Sequence, residues 1–146
     1  MRKVFLDSSV IIAGVASASG ASRAVLVLME IGLFKGIVSE QVLEECQRNI
    51  ASKLPAAMTA YGELILSLNL EVEPNPNAEA YAVWKTIIEP KDAPILAAAV
   101  LAKVDRLLTL NTKDFTQEVA QQSGLNIQTP SNFIQEVRWI LSRGLV

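Results

Sequence analysis

This chain has no histidine and a single cysteine, Cys46. Without histidine, a Ser-His-Asp or Cys-His catalytic site is excluded, and a zinc centre would need cysteines that are not there. One cysteine forms no internal disulfide, which fits a reducing cytoplasm. Aromatic residues make up only 5% of the chain against a hydrophobic fraction of 51%, so the core has to be built from Val, Ile, Leu and Ala. Long apolar runs are missing as well, since stretches such as 93–102 are too short to span a bilayer. A secretory leader is not expected either: Arg2 and Lys3 precede apolar residues, but Asp7 interrupts that run. A large excess of positive charge is also absent. The net charge is −2, so the chain as a whole is no polycationic nucleic-acid binder, although a local basic rim stays open. Any catalysis must therefore rest on carboxylates, amides, hydroxyls, Lys or a hard cation.

What is present is a regular alternation of short strand-like and longer helical patterns. The length of 146 residues predicts one domain, 1–146, able to bury its own core. Strands are predicted at 3–6, 35–38, 69–72, 106–109 and 125–128. Helices are predicted at 9–17, at 22–31 with Gly32 just past the end, and at 40–53 with Ser39 as cap. A helix beginning at Pro55 runs to about residue 68, and another covers 78–88, where Pro90 breaks it. Three more follow. Asp92 is read as the cap of 93–103, Asp114 as the start of a stretch to residue 123 ending at Gly124, and Ser131 as the cap of 132–142. Residues 73–77, with two prolines, form a loop within the domain. The alternation predicts an α/β fold with a central parallel sheet covered by helices.

Four acids stand at comparable places in this scheme. Asp7 follows the first strand, Asp92 precedes a helix leading into the fourth, and Asp114 follows that strand with Asn111 three residues earlier. Glu45 lies in the helix after strand two, on the shoulder of the apolar stripe Val42, Leu43, Cys46 and Ile50, whereas Glu44 points nearer to solvent. In a doubly wound sheet, residues after strands one and four meet where the strand order reverses. Each acid also has a plainer explanation. Asp7, Asp92 and Asp114 occupy positions where Asp caps a helix, and Glu45 is a helix residue of the commonly solvated type. If the acids do converge, their mutual repulsion calls for a divalent hard cation such as Mg²⁺ or Mn²⁺, which would suit phosphodiester hydrolysis without histidine.

The segments Val4-Phe-Leu-Asp7-Ser-Ser-Val10, Val38-Ser-Glu-Gln-Val-Leu-Glu-Glu45, Glu89-Pro-Lys-Asp92-Ala-Pro-Ile-Leu and Leu107-Leu-Thr109-Leu-Asn111-Thr-Lys-Asp114-Phe, together with Thr129-Pro-Ser-Asn-Phe133, occur in this order. In these segments the chain resembles the PIN-domain nucleases, which include the VapC-type toxins of toxin–antitoxin pairs. The resemblance implies a Rossmann-like three-layer α/β/α sandwich and Mg²⁺- or Mn²⁺-dependent cleavage of RNA. It places Asp7, Glu45, Asp92 and Asp114 as catalytic and metal-holding acids, supported by Ser9, Thr109 and Asn111. A homodimer and, for toxins, a blocking antitoxin are further implications; the lone cysteine and the short apolar runs add the expectation of a cytoplasmic protein with no membrane role. Three positions bear on the family's pattern: Ser9 where many members carry Asn, Glu89 where relatives often have Asp, and Asn111 where the family has Asn or Asp, in place of a possible Asp.

Arg23, Arg48, Lys91 and Lys113 lie near these segments and are candidates for phosphate contacts, with Arg23, Lys91 and Lys113 foremost; solvated surface charge is the plainer reading of each. Trp84 and Trp139 are of a type that stacks on bases, yet their apolar neighbours favour packing. Thr109 reads equally well as an ordinary strand residue. Two functions follow: a metal-dependent ribonuclease, or a catalytically weak or inactive PIN-like module that binds RNA or a protein partner.

Overall fold

The computed structural model describes residues 2–144. Its five strands are β1 (Lys3–Leu6), β2 (Lys35–Ser39), β3 (Glu71–Glu73), β4 (Arg106–Leu108) and β5 (Ile127–Gln128). They form one parallel sheet in the order β3-β2-β1-β4-β5. The strand β1 is central, and Val4, Phe5 and Leu6 are fully buried, as a strand covered on both faces must be. Leu6 pairs with Leu108, so β1 and β4 end side by side. The strand order reverses there.

The helices flanking the sheet are α1 (Ser8–Ala16), α2 (Ala21–Glu30), α3 (Glu40–Lys53), α4 (Met58–Leu68), α5 (Ala78–Ala82), α6 (Ala93–Leu101), α7 (Gln117–Ser123) and α8 (Pro130–Gly144). This is the Rossmann-like α/β/α sandwich expected. Among the described residues, no single helix is long and apolar enough to cross a membrane. The helix α3 takes its predicted bounds because the Ser39 hydroxyl accepts the Val42 N–H at 3.3 Å, satisfying one of the free donors of the first turn. At Gly36 the backbone of β2 meets α2 so closely that an added Cβ would lie 2.2 Å from Met29 Sδ. That contact lets α2 settle onto the sheet.

Several local expectations are corrected. The helix predicted over 78–88 stops at Ala82; beyond it Trp84, Lys85 and Ile87 donate to carbonyls three residues back. The β-branched residues Val83, Thr86, Ile87 and Ile88 disfavour a continuing α-helix, and tightened turns bury Ile88 instead. Pro55–Ala57 forms a 3₁₀ turn before α4. Asn69, expected in a strand, adopts φ 50° as the left-handed end of α4, which delays β3 to Glu71. Thr129, not Ser131, caps α8: its hydroxyl accepts the Asn132 N–H at 3.1 Å, with Pro130 in the first-turn position. Likewise Thr116, not Asp114, caps α7 through the Val119 N–H. Gly124 ends that helix at φ 76°, as expected.

Candidate metal centre and active site

The carboxyl ends of β1 and β4 deliver Asp7 and Thr109 to the same spot. The Asp7 N–H donates to the Leu108 carbonyl at 3.0 Å, extending the ladder by one residue. Asp7 Oδ1 accepts the Ser8 N–H at 2.9 Å, so it does cap α1. Asp7 Oδ2 accepts the hydroxyls of Thr109 at 2.7 Å and Ser9 at 2.8 Å. Ser9 Oγ in turn accepts the Leu110 N–H at 3.0 Å, and Thr109 Oγ1 the Asn111 N–H at 2.9 Å. Both supporting hydroxyls thus tie the first aspartate to the loop after β4. Burial pushes the Asp7 carboxyl above its ordinary range, and these hydroxyl bonds oppose the rise.

Glu45 reaches this centre from α3, while Glu44 stays exposed, as the helical stripe predicts. Glu45 Oε2 accepts from Ser8 Oγ at 2.8 Å and Oε1 from Gln41 Nε2 at 3.0 Å. Asn49, one turn on, bonds the Glu45 main-chain carbonyl.

Asp92 stands at the N-cap position of α6, but it does not act as a cap. Its backbone is helical (φ −97°, ψ −15°), and its carboxylate takes no N–H from the first turn. The side chain is buried, and Oδ2 has no hydrogen-bond partner among the described residues. Burial, followed by the neighbouring carboxylate of Asp114, pushes this carboxyl up to about 7. Asp114 is held the other way. The Asn111 amide donates to its Oδ2 at 3.1 Å and holds its carboxyl below the ordinary range. Lys91 Nζ lies 3.9 Å from the same oxygen, in an exposed and weak pair.

Among the described residues, no three His, Cys, Asp or Glu side chains stand close enough, as they lie, to hold an ion together. The donor chemistry nevertheless fits a hard cation. It is all oxygen, and it includes a buried carboxylate oxygen with no partner among the described residues, beside a second carboxylate.

Of the candidate cations, Lys91 and Lys113 border the acids. Lys113 and Asp114 line an open cavity of about 410 Å³ together with Lys85, Glu89 and Thr116. Arg48 is exposed on α3. Arg23 instead bonds the Ser17 carbonyl at the α1–α2 turn, and none of its hydrogen bonds or ion pairs reaches the acids. Glu89 is exposed on the rim. Trp139 is 60% exposed on α8, while Trp84 packs partly against the core. Cys46 is buried beneath the site. A more enclosed, apolar cavity of about 310 Å³ lies at the amino-terminal end of the central strands, lined by Arg2, Val4, Phe34, Arg106 and Phe133 among others, and contains none of the four candidate acids.

Two residues went unnoticed in the sequence, Ser8 and Gln41. A signal existed for each: Ser8 adjoins Asp7, and Gln41 precedes Glu45 by four residues, the spacing that brings helix side chains together.

No curated protein matches the chain. Among solved structures, it is similar to VapBC2 from Rickettsia felis bound to a DNA fragment from its promoter, at 19% identity and TM-score 0.66, over 87% of this chain and 98% of that one. A DNA-bound VapBC from Salmonella typhimurium is similar at 21% identity and TM-score 0.65, covering 89% and 99%. VapC20 of Mycobacterium tuberculosis, described as a sarcin-ricin loop cleaving toxin, matches at 18% identity and TM-score 0.52 over 71% and 86%. At these identities the likeness speaks for the fold. The family profile described as PIN domain matches residues 3–113, most of the chain and all of the β1-to-β4 segment that carries Asp7, Glu45 and Asp92. The chain belongs to the PIN-domain family.

Proposed function

We propose that this protein is a metal-dependent ribonuclease that hydrolyses RNA phosphodiester bonds, with Asp7, Glu45, Asp92 and Asp114 as the acids that hold Mg²⁺ or Mn²⁺. One observation carries the reading most directly: Asp92 is buried and leaves a carboxylate oxygen without a donor, beside Asp114. An acid kept in that state destabilises the fold unless a cation or proton meets it. When bound, such an ion lowers the pKa of a water and offsets charge on the phosphodiester. The chain's own part is to hold and orient. Thr109 and Ser9 fix the Asp7 carboxylate, Ser8 and Gln41 fix Glu45, and Asn111 fixes Asp114. Lys91 and Lys113 stand at the rim, where an RNA backbone would meet positive charge.

The whole chain, 1–146, acts on this reading as one PIN domain, in a homodimer. The similarity to VapBC complexes supports a toxin role with an antitoxin protein as partner. A pool of structured and single-stranded RNAs, incubated with Mn²⁺ or Mg²⁺, is the test. Cleavage should vanish with EDTA and with Asp92→Asn or Asp7→Asn while the circular dichroism of the fold is retained. Cleavage that survives both changes would overturn the reading. The acids' failure to converge as they lie favours one alternative, a weak or inactive module that binds RNA or a protein. Capture of RNA without cleavage at any metal concentration would establish it.

A further inference from the structure

Gln41 makes a contact that no other side chain of the site makes. It lies one turn before Glu45 on α3, and its Nε2 donates to Glu45 Oε1 at 3.0 Å and to the main-chain carbonyl of Lys91 at 3.2 Å. An amide nitrogen carries two hydrogens, so both bonds form at once. Both partners are acceptors only, which settles which end of the amide faces them. Glu45 Oε2 meanwhile accepts from Ser8 Oγ. Glu45 is therefore held from two sides, by the residue that follows Asp7 and, through Gln41, by the residue that precedes Asp92.

We propose that Gln41 is a positioning residue: a strut that keeps the Glu45 carboxylate and the backbone entering Asp92 in one frame. Its relevance to catalysis rests on the reading of the acids as a metal site; the strut itself does not. The bond to the Lys91 carbonyl ties two segments 50 residues apart in sequence directly to each other. Loss of an outer partner that orients a metal-holding carboxylate weakens metal affinity by about 10- to 100-fold.

A purely architectural role for Gln41 is separable. Its backbone N–H donates to Asn75 Oδ1 at 2.8 Å, and the Asn75 N–H donates to Glu40 Oε1 at 3.2 Å, pinning the proline-containing loop to the start of α3. Those bonds use the main chain of residue 41 and survive any change of its side chain. Gln41→Met removes both amide donors at similar volume and keeps a good helix former.

The experiment compares the whole chain with Gln41→Met, Gln41→Leu, Asn75→Ala and Glu45→Ala. In metal-free protein, the amides of Asp92 and Ala93, which donate to the Glu89 carbonyl, should exchange several-fold faster in both Gln41 variants. Exchange in α3 beyond Cys46 and the melting temperature should stay as in the parent. In Mn²⁺ titrations followed by electron paramagnetic resonance, Kd should rise about tenfold for Gln41→Met. Adding Gln41→Met to Glu45→Ala should cost nothing more, and Asn75→Ala should leave Kd near the parent value. Unchanged exchange at Asp92 and Ala93 would overturn the strut. So would a Kd loss that adds to that of Glu45→Ala, or one that Asn75→Ala reproduces. If the parent chain takes up no Mn²⁺, the metal reading fails by itself, and the exchange measurement still decides the strut.

Discussion

Thr109 donates its hydroxyl to Asp7 Oδ2 at 2.7 Å across the point where the strand order reverses, with both side chains buried. The same hydroxyl oxygen accepts the Asn111 N–H, so one group orients the first aspartate and anchors the loop that holds Asp114. Thr109→Val keeps the shape and removes the hydroxyl, leaving Asp7 short of a donor and the Asn111 N–H without an acceptor. Stability should fall by about 1–3 kcal/mol, read from the urea midpoint at unchanged slope. Thr109→Ser should recover most of that loss. Ribonuclease activity should fall with Thr109→Val and return with Thr109→Ser, whereas equal stability in the parent and Thr109→Val would show that the bond contributes nothing.

The Asp92 carboxyl, raised by burial and then by Asp114 to about 7, predicts an unusual stability profile. A folded-state value above the unfolded one, near 3.8, means the folded protein binds more protons between those pH values. The stabilising contribution is full below pH 4 and is lost as pH rises through 7. Burial raises Asp7 in the same direction. In EDTA, Asp92→Asn should therefore stabilise the chain by about 1–2 kcal/mol at pH 8, with the gain disappearing near pH 4; with Mn²⁺ present, the same change should abolish cleavage. Denaturation at the two pH values measures it. A variant less stable than the parent at pH 8 would refute this account of Asp92.

Cys46 lies under the acids, and burial pushes its thiol up to about 12, with the charges of Asp7 and Glu45 adding to the rise. A thiol without thiolate character in a dry site does not react. Ellman's reagent should modify Cys46 only through global unfolding, so sub-denaturing urea should accelerate the labelling as steeply as it accelerates unfolding. Fast labelling of the native protein would mean that α3 opens locally beside Glu45.

The parts of this molecule that local chemistry decides were legible in the sequence. A three-residue apolar run ended by Asp7, and a Ser cap before an amphipathic stripe, produced the observed bounds of β1 and α3. The position of Glu45 on that stripe likewise followed from helical periodicity. What escaped were choices between neighbouring residues of similar chemistry. Asp114 and Thr116 can each cap a helix, and the choice fell to Thr116 because Asn111 and Asp114 engage each other, side chain to side chain and through the Asp114 N–H. Asp92 sits at a cap position yet leaves its Oδ2 without a partner among the described residues, which is visible only once the packing around it is known. Gln41 was missed for a related reason. Its partnership with Glu45 is local, but the Lys91 carbonyl that gives it a role lies 50 positions away in sequence.

A cation that binds the folded chain alone must raise its melting temperature. At a free concentration 100-fold above Kd, linkage supplies about 2.7 kcal/mol, and for a chain of this size that corresponds to a rise of about 5–10 °C. Mn²⁺ should produce the rise, Mg²⁺ a similar one at higher concentration, and Ca²⁺ a smaller one if the site demands compact octahedral geometry. The shift should vanish in Asp92→Asn. It should also grow with pH from 6 to 8, because the cation must displace the proton that Asp92 carries in the metal-free state. Differential scanning fluorimetry across that range separates the two competitors for the unpaired oxygen. A shift independent of pH would mean that Asp92 is not among the ligands, and no shift with any divalent ion would remove the metal from the site altogether.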